Sequence, residues 1–131
     1  MTAKSRNILT WSLSAFAAAV LLLSVFMKLS GNPEAVENFL NWGYSDSFRM
    51  FIGVCELFGA VGLLIPPFTT LAACGLSIVM TGAVFTHLSH AQAPQAAIPL
   101  VLLAIVLYLA RERRSEIGKL FGHATAAHAH G

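Results

Sequence analysis

Four long apolar blocks, separated by short polar breaks, decide what this chain can fold into. They run over Ile8–Leu29, Phe48–Pro66, Thr69–Leu88 and Pro94–Ala110. A membrane-crossing helix takes ~20 mostly apolar residues, with a range of roughly 17–25, and each block falls close to it. Blocks one, three and four lack the polar stripe that a helix of a soluble bundle needs. Charged residues are only 11% of the chain and hydrophobic ones 56%, where a soluble domain carries about 25% charged residues. An ordinary soluble globule and a disordered chain are both excluded. The sequence predicts an all-α fold: an integral membrane, antiparallel four-helix bundle over residues 1–114, followed by a flexible His-containing tail over residues 115–131. Block one has the basic start of a secretory signal. Its apolar run is too long for one, and no small-x-small cleavage site follows Lys28, so it reads as a retained first span.

The basic residues sit at the two ends of the chain. Lys4 and Arg6 precede span one; Arg111, Arg113, Arg114 and Lys119 follow span four. The positive-inside rule puts both termini in the cytoplasm, and four spans return the chain to its starting side. The turn around Pro66-Pro67 then faces inward, and the two other connections face outward. The first of these, about Ser30–Ser47, holds Glu34, Glu37 and Asp46 and no basic residue. Pro33 suits a first helical position, and the acids suit a first turn. Val36, Phe39, Leu40 and Trp42 fall on one face, which predicts a short amphipathic helix lying at the outer surface. Gly43 would end it, and Trp42 and Tyr44 would rest at the headgroup level.

Spans two and three carry many small residues, among them Gly53, Gly59, Ala60 and Gly62, then Ala72, Ala73, Gly75, Gly82 and Ala83. In lipid, helices associate through close backbone approach, so these two spans are the expected centre of the bundle. Pro99 falls in the second turn of span four, where it would remove a backbone bond and kink that end. Cys55 and Cys74 read as small buried residues, about 10 Å apart in height. That is too far for a disulfide.

An ionisable group inside a span costs roughly 2.5–3.5 kcal/mol or more, so each such group needs a partner. Glu56 is the deepest, ~12 Å below the outer end of its helix at ~1.5 Å per residue. Lys28, His87 and Arg49 also belong to the outer half. Glu56 must be protonated or paired. Lys28 can bend its stem toward it, His87 can donate from a ring nitrogen, and Arg49, seven residues up the same face, can cap the site. The expected site is an outward-facing polar pocket of Glu56, Lys28 and His87. Ser24 and Thr86 extend it, and Met80 supplies an apolar wall. The bland alternative is an ion pair that only pins helix one to helix two. For Lys28 and Arg49, snorkelling to the interface competes with any role in a pocket. His87 and His90 are spaced as a ligand pair, yet two ligands are too few for a metal. The tail histidines His123, His128 and His130 do not form an uninterrupted run; weak binding of a divalent metal is the alternative there to a disordered tail. No phosphate loop, Cys-x-x-Cys pair or nucleophile elbow occurs. The cationic ends are explained by topology, so nucleic acid is excluded as a partner.

At these residues the sequence resembles the DoxX-like family of small four-span membrane proteins. The resemblance rests on Phe26-Met27-Lys28-Leu29 and on Gly53-Val54-Cys55-Glu56-Leu57-Phe58-Gly59-Ala60 running into Gly62-Leu63-Leu64-Ile65-Pro66. A third part runs from Met80 through Ala83 to Thr86-His87-Leu88. The resemblance implies a bacterial inner-membrane protein and carries the family's Lys, Glu and His positions onto Lys28, Glu56 and His87. Relatives have been linked to thiosulfate:quinone oxidoreductase as a small membrane subunit, and to membrane complexes handling thiol and oxidant stress. Distant animal relatives act as receptor-assembly chaperones. The expected function is therefore a redox-linked membrane subunit with quinone as its candidate cofactor and a membrane redox complex as its partner beside the bilayer. The alternative is a non-enzymatic factor that binds a lipid or small ligand or assists assembly. An ion pathway is disfavoured, because no span carries a charge in its inner half. A second copy of the chain remains open as a partner.

Overall fold

This computed structural model describes residues 1–120. Five α-helices account for most of them: α1 Ala3–Leu29, α2 Pro33–Asn41, α3 Asp46–Leu63, α4 Pro66–Ser89 and α5 Ala97–Glu112. Each start has a local cause. Thr2, Asn32 and Ser45 accept from the backbone N–H groups of Ser5, Glu34 and Phe48 and so cap α1, α2 and α3. The proline pair Pro66-Pro67 sits in the first turn of α4, where missing N–H groups cost nothing.

Helices α1, α3, α4 and α5 form the bundle. Helix α1 packs on α3, α3 on α4, α4 on α5, and α5 closes back on α1. The short α2 lies against the ends of α1 and α3. Helices α1, α4 and α5, the last with its leading turn, are long and apolar enough to cross a membrane. Helix α3 is the exception. Its 18 residues include Asp46, Arg49 and Glu56, and Arg49 and Glu56 are both buried inside the bundle.

The distribution of side-chain size is that of a protein dissolved in lipid. Ala17, Ala60 and Ala73 are fully buried, while Phe26, Phe58, Ile78 and Phe85 are largely exposed on the outer surface. Small residues inside let backbones approach, and large apolar ones outside meet acyl chains. The chain is therefore a membrane-embedded helical bundle. Several packing expectations hold. A side-chain carbon on Gly62 would lie 2.6 Å from the Cβ of Ala72, and one on Gly59 would lie 2.5 Å from Leu76. Others do not. Gly75 and Gly82 have no neighbour where a side chain would be, so the small residues of α4 that pack are its alanines. Cys74 is exposed, and Cys55 is half-buried beside a shallow apolar groove between α3 and α4. The inward face of α4 is Ala73, Leu76 and Met80, and Cys74 is turned about 100° from Ala73.

Helix α5 begins later than expected. Pro94–Ala96 form a 3-10 turn, and the α-helix starts at Ala97. Pro99 thus falls in the first α-turn rather than the second, where its missing N–H breaks no helical bond. At the basic end, Arg6 approaches Glu112 at 3.8 Å, and Arg113 stacks over Trp11 at 4.9 Å. These contacts tie the start of α1 to the end of α5. Arg114–Ile117 form a further 3-10 turn against α4. His123, His128 and His130 lie outside the described residues.

Candidate functional site

The deep carboxylate is paired. Lys28 Nζ donates to both Glu56 oxygens, at 3.2 Å each. Ser24 Oγ donates to Glu56 Oε2 at 3.0 Å and itself accepts from Lys28 Nζ. The three side chains close a ring between α1 and α3. Its geometry follows from the helix repeat. Ser24 and Lys28 are four residues apart, hence stacked on one face of α1, and that face meets α3 where Gly53 lets the backbones approach. A side-chain carbon on Gly53 would lie 2.8 Å from Leu29 and 3.3 Å from Lys28. Glu56 is one turn further down α3. Its side chain is only 5% exposed and that of Lys28 16%. The centroid of the Phe39 ring lies 6.0 Å from the ammonium.

Beside this ring lies a cavity of about 360 Å³. Lys28 and Glu56 form part of its wall, and Thr86 and His87 of α4 form another part. The remainder is apolar and mostly aromatic: Phe39, Trp42, Tyr44, Phe48, Phe51, Ile52, Ile78 and Val79. Helix α2 and the turn after it make the roof. Tyr44 Oη and Thr86 Oγ1 share a hydrogen bond of 2.9 Å, and Trp42 Nε1 donates to Gln92 Oε1 at 3.1 Å. Phe39, Trp42, Tyr44 and Phe48 pack ring against ring. The amphipathic helix and its end at Gly43, with φ +85°, are as expected. The roles of Trp42 and Tyr44 differ from expectation: both turn inward and bolt the roof onto α4.

The sequence-predicted residues divide into three groups. Lys28, Ser24 and Glu56 are joined directly, and Thr86 and His87 line the same cavity. His87 makes no hydrogen bond to Glu56; its Nδ1 pairs with Gln92 Oε1 at 3.0 Å. The acceptor sites expected to take a histidine proton are occupied by Lys28 and Ser24. Met80 is buried in the core with Ala17, Leu21 and Leu76 rather than in the cavity wall. The wall of α4 is formed by positions 78, 79, 82, 83, 86 and 87, and Met80 turns away from most of them. Arg49 is buried about two helical turns above Glu56, outside the cavity wall, 3.6 Å from Asp46. Its Nε and Nη1 have no partner among the described residues.

Sequence reasoning missed Gln92 and the aromatic roof. The roof was legible as an aromatic-rich loop, but its direction was not. Gln92 gave no signal, since a glutamine in a connection is ordinary. Among the described residues no three His, Cys, Asp or Glu side chains cluster as a metal site would require.

The arrangement can hold a flat, mostly apolar molecule and offer it a few polar contacts from one side. A buried ion pair, a glycine-lined α1–α3 contact and a histidine on α4 are the features the sequence motifs encode. No curated protein and no solved structure matches the chain. The profile of the DoxX-like family matches residues 12–109, from α1 to the last turn of α5 and across every helix that builds the cavity, and the chain therefore belongs to that family.

Proposed function

We propose that this protein is a bacterial inner-membrane component of a redox-linked complex, and that its cavity takes the ring head of a lipid-soluble, quinone-class molecule. The positive-inside rule supports an orientation with both termini in the cytoplasm and the cavity in the outer leaflet. The observation that carries the reading is the Lys28–Ser24–Glu56 cluster, which opens onto an aromatic cavity instead of being sealed in packed side chains. A purely structural pin needs no such cavity. The volume of about 360 Å³ suits a small ring system. The roof of α2 covers the cavity from the aqueous side. Phe51 and Ile78, on its wall, are 61% and 75% exposed on the bundle's lateral surface. This favours entry from lipid between α3 and α4.

In this reading the Lys28 ammonium, whose three N–H groups are held by Ser24 and Glu56, faces the cavity as a positive charge and steadies negative charge on a ring oxygen. Glu56 keeps the ammonium in place, and the aromatic walls exclude water. Oxidation of the head releases two electrons and two protons per ring. The electrons pass to a partner subunit, one proton passes to His87, and the second leaves to water at the outer face. A second reading has one observation in its favour: the carboxylate is satisfied by Lys28 and Ser24 without any ligand. That fits a non-enzymatic ligand-binding or assembly factor equally well.

The test is thermal unfolding of the purified protein in detergent with a short-chain quinone. Binding to the folded state raises the midpoint with concentration, by about 2.7 kcal/mol of stability at a hundredfold excess over Kd. The shift is expected to vanish when Lys28→Met and Glu56→Gln are combined. No shift at any concentration overturns the reading. Stabilisation with no quinone-dependent electron transfer in native membranes selects the second reading.

A further inference from the structure

The end of α4 is shaped by an unusual residue for its place. Ala91 adopts a left-handed conformation, φ +57°. Its N–H donates to Leu88 O at 3.3 Å, and the next N–H, of Gln92, donates to His87 O at 2.8 Å. This pair of bonds folds the chain back, so that the Gln92 side chain lies over the last turn of α4. There Gln92 Oε1 meets two groups, Trp42 Nε1 at 3.1 Å and His87 Nδ1 at 3.0 Å.

These contacts fix a proton. The indole N–H can only donate, so the amide atom it meets is the oxygen. An amide oxygen only accepts, so the hydrogen of the second bond lies on His87 Nδ1. In the neutral ring Nε2 is then a bare acceptor. Trp42 stands edge-on to the imidazole, with centroids 5.1 Å apart and planes at 85°, which hinders a ring flip. Nε2 has no partner among the described residues, and His87 lines the cavity.

We infer that Trp42 and Gln92 set His87 as the hydrogen-bond acceptor of the cavity, and that its ligand presents a ring hydroxyl there: a phenol or hydroquinone rather than its ether. The inference rests on the cavity being a ligand site, as proposed above. Lys28 supplies positive charge on the α1 side of the same cavity, so a hydroquinone can give a proton-bearing oxygen to His87 while its second oxygen faces the ammonium. Binding breaks no covalent bond. Gln92 is a positioning residue, since it acts through His87; Trp42 acts through His87 and also forms part of the cavity wall.

Two measurements on the full chain in lipid nanodiscs separate the parts. The first needs no ligand. With ¹⁵N-labelled histidine at pH of about 8, where an ordinary imidazole is neutral, His87 is identified as the signal lost in His87→Gln. A pyrrole-type Nδ1 and a pyridine-type Nε2 are expected. Trp42→Phe keeps the ring but frees the amide to turn, and is expected to mix the two tautomers. Gln92→Leu does the same should that variant fold poorly, and Gln92→Glu, an obligate acceptor, is expected to keep the native form. A protonated Nε2 in the native protein overturns the inference. The second titrates trimethylhydroquinone and its dimethyl ether under reducing conditions. The hydroquinone is expected to bind about tenfold more tightly and to move the Nε2 signal, with most of that preference lost in Trp42→Phe. Equal binding of both probes overturns the inference and leaves the cavity reading standing. Binding of neither overturns both.

Discussion

Lys28 satisfies its ammonium because Ser24 stands one turn before it and Glu56 faces it from α3. A buried ion pair recovers its desolvation cost only when its hydrogen bonds are complete. Here the serine hydroxyl completes them, accepting from the ammonium and donating to the carboxylate. Breaking one side is therefore costly. Glu56→Gln is expected to lower stability by about 3 kcal/mol, because the ammonium stays near a low-dielectric wall without its counter-charge. Lys28→Met alone strands the carboxylate in the same way. The double variant is expected to lose less than either single one, as measured by unfolding in mixed micelles. Additive losses would show that the two groups are not coupled. The carboxylate at position 56 and its need for an answering group were legible from hydropathy alone. That Lys28 and Ser24, and not His87, provide the answer depends on the rotation of α1 against α3, which periodicity leaves open.

At the scale of elements, one device recurs. Helices α1, α2 and α4 all end in a left-handed residue, Gly31, Gly43 and Ala91, with φ +72°, +85° and +57°. In each case the next residue's N–H returns to the last turn: Asn32 to Met27 O, Tyr44 to Phe39 O and Gln92 to His87 O. Each of those residues then has a task. Asn32 caps α2, Tyr44 bonds Thr86, and Gln92 bonds Trp42 and His87. The two glycines announce their turns in the sequence; alanine does not. A left-handed alanine carries a penalty of roughly 1–2 kcal/mol, while glycine adds unfolded-state entropy worth roughly 0.5–1 kcal/mol. Ala91→Gly is expected to stabilise the protein by up to about 1 kcal/mol, seen as a small rise in its unfolding midpoint with the His87 environment intact. The α3–α4 contact predicts the opposite sign. Gly62→Ala would press a methyl to within 2.6 Å of the Ala72 Cβ, which moves only with its backbone. A loss of about 1–3 kcal/mol is expected; an unchanged midpoint would mean that α3 and α4 slide freely.

For the molecule as a whole, polar groups gather at two heights. The basic end joins Arg6, Glu112 and Arg113 to the start of α1 and the end of α5, and the opposite end carries the cavity and its roof. Between them the outer surface is apolar. The proposed orientation predicts that a membrane-impermeant maleimide labels Asn41→Cys on intact cells. It should label Lys4→Cys only after the membrane is opened. The native Cys74, exposed on the lateral surface of α4, is expected to stay unlabelled in both states. Labelling in the reverse order would place the cavity in the cytoplasmic leaflet and overturn the route of entry from the outer one.

Composition and hydropathy by themselves determined the solvent, the all-α class, the helices and the one carboxylate that had to be explained, because transfer into lipid is a large, local energy written residue by residue. Only the tertiary structure decided what surrounds that carboxylate. The azimuth of each helix sends Met80 into the core and Thr86 to the cavity, and the folding of α2 over α4 turns surface aromatics into a roof. Those choices are set by packing between helices distant in the chain. The two bonds by which Gln92 joins Trp42 to His87 have no signature until the two ends meet.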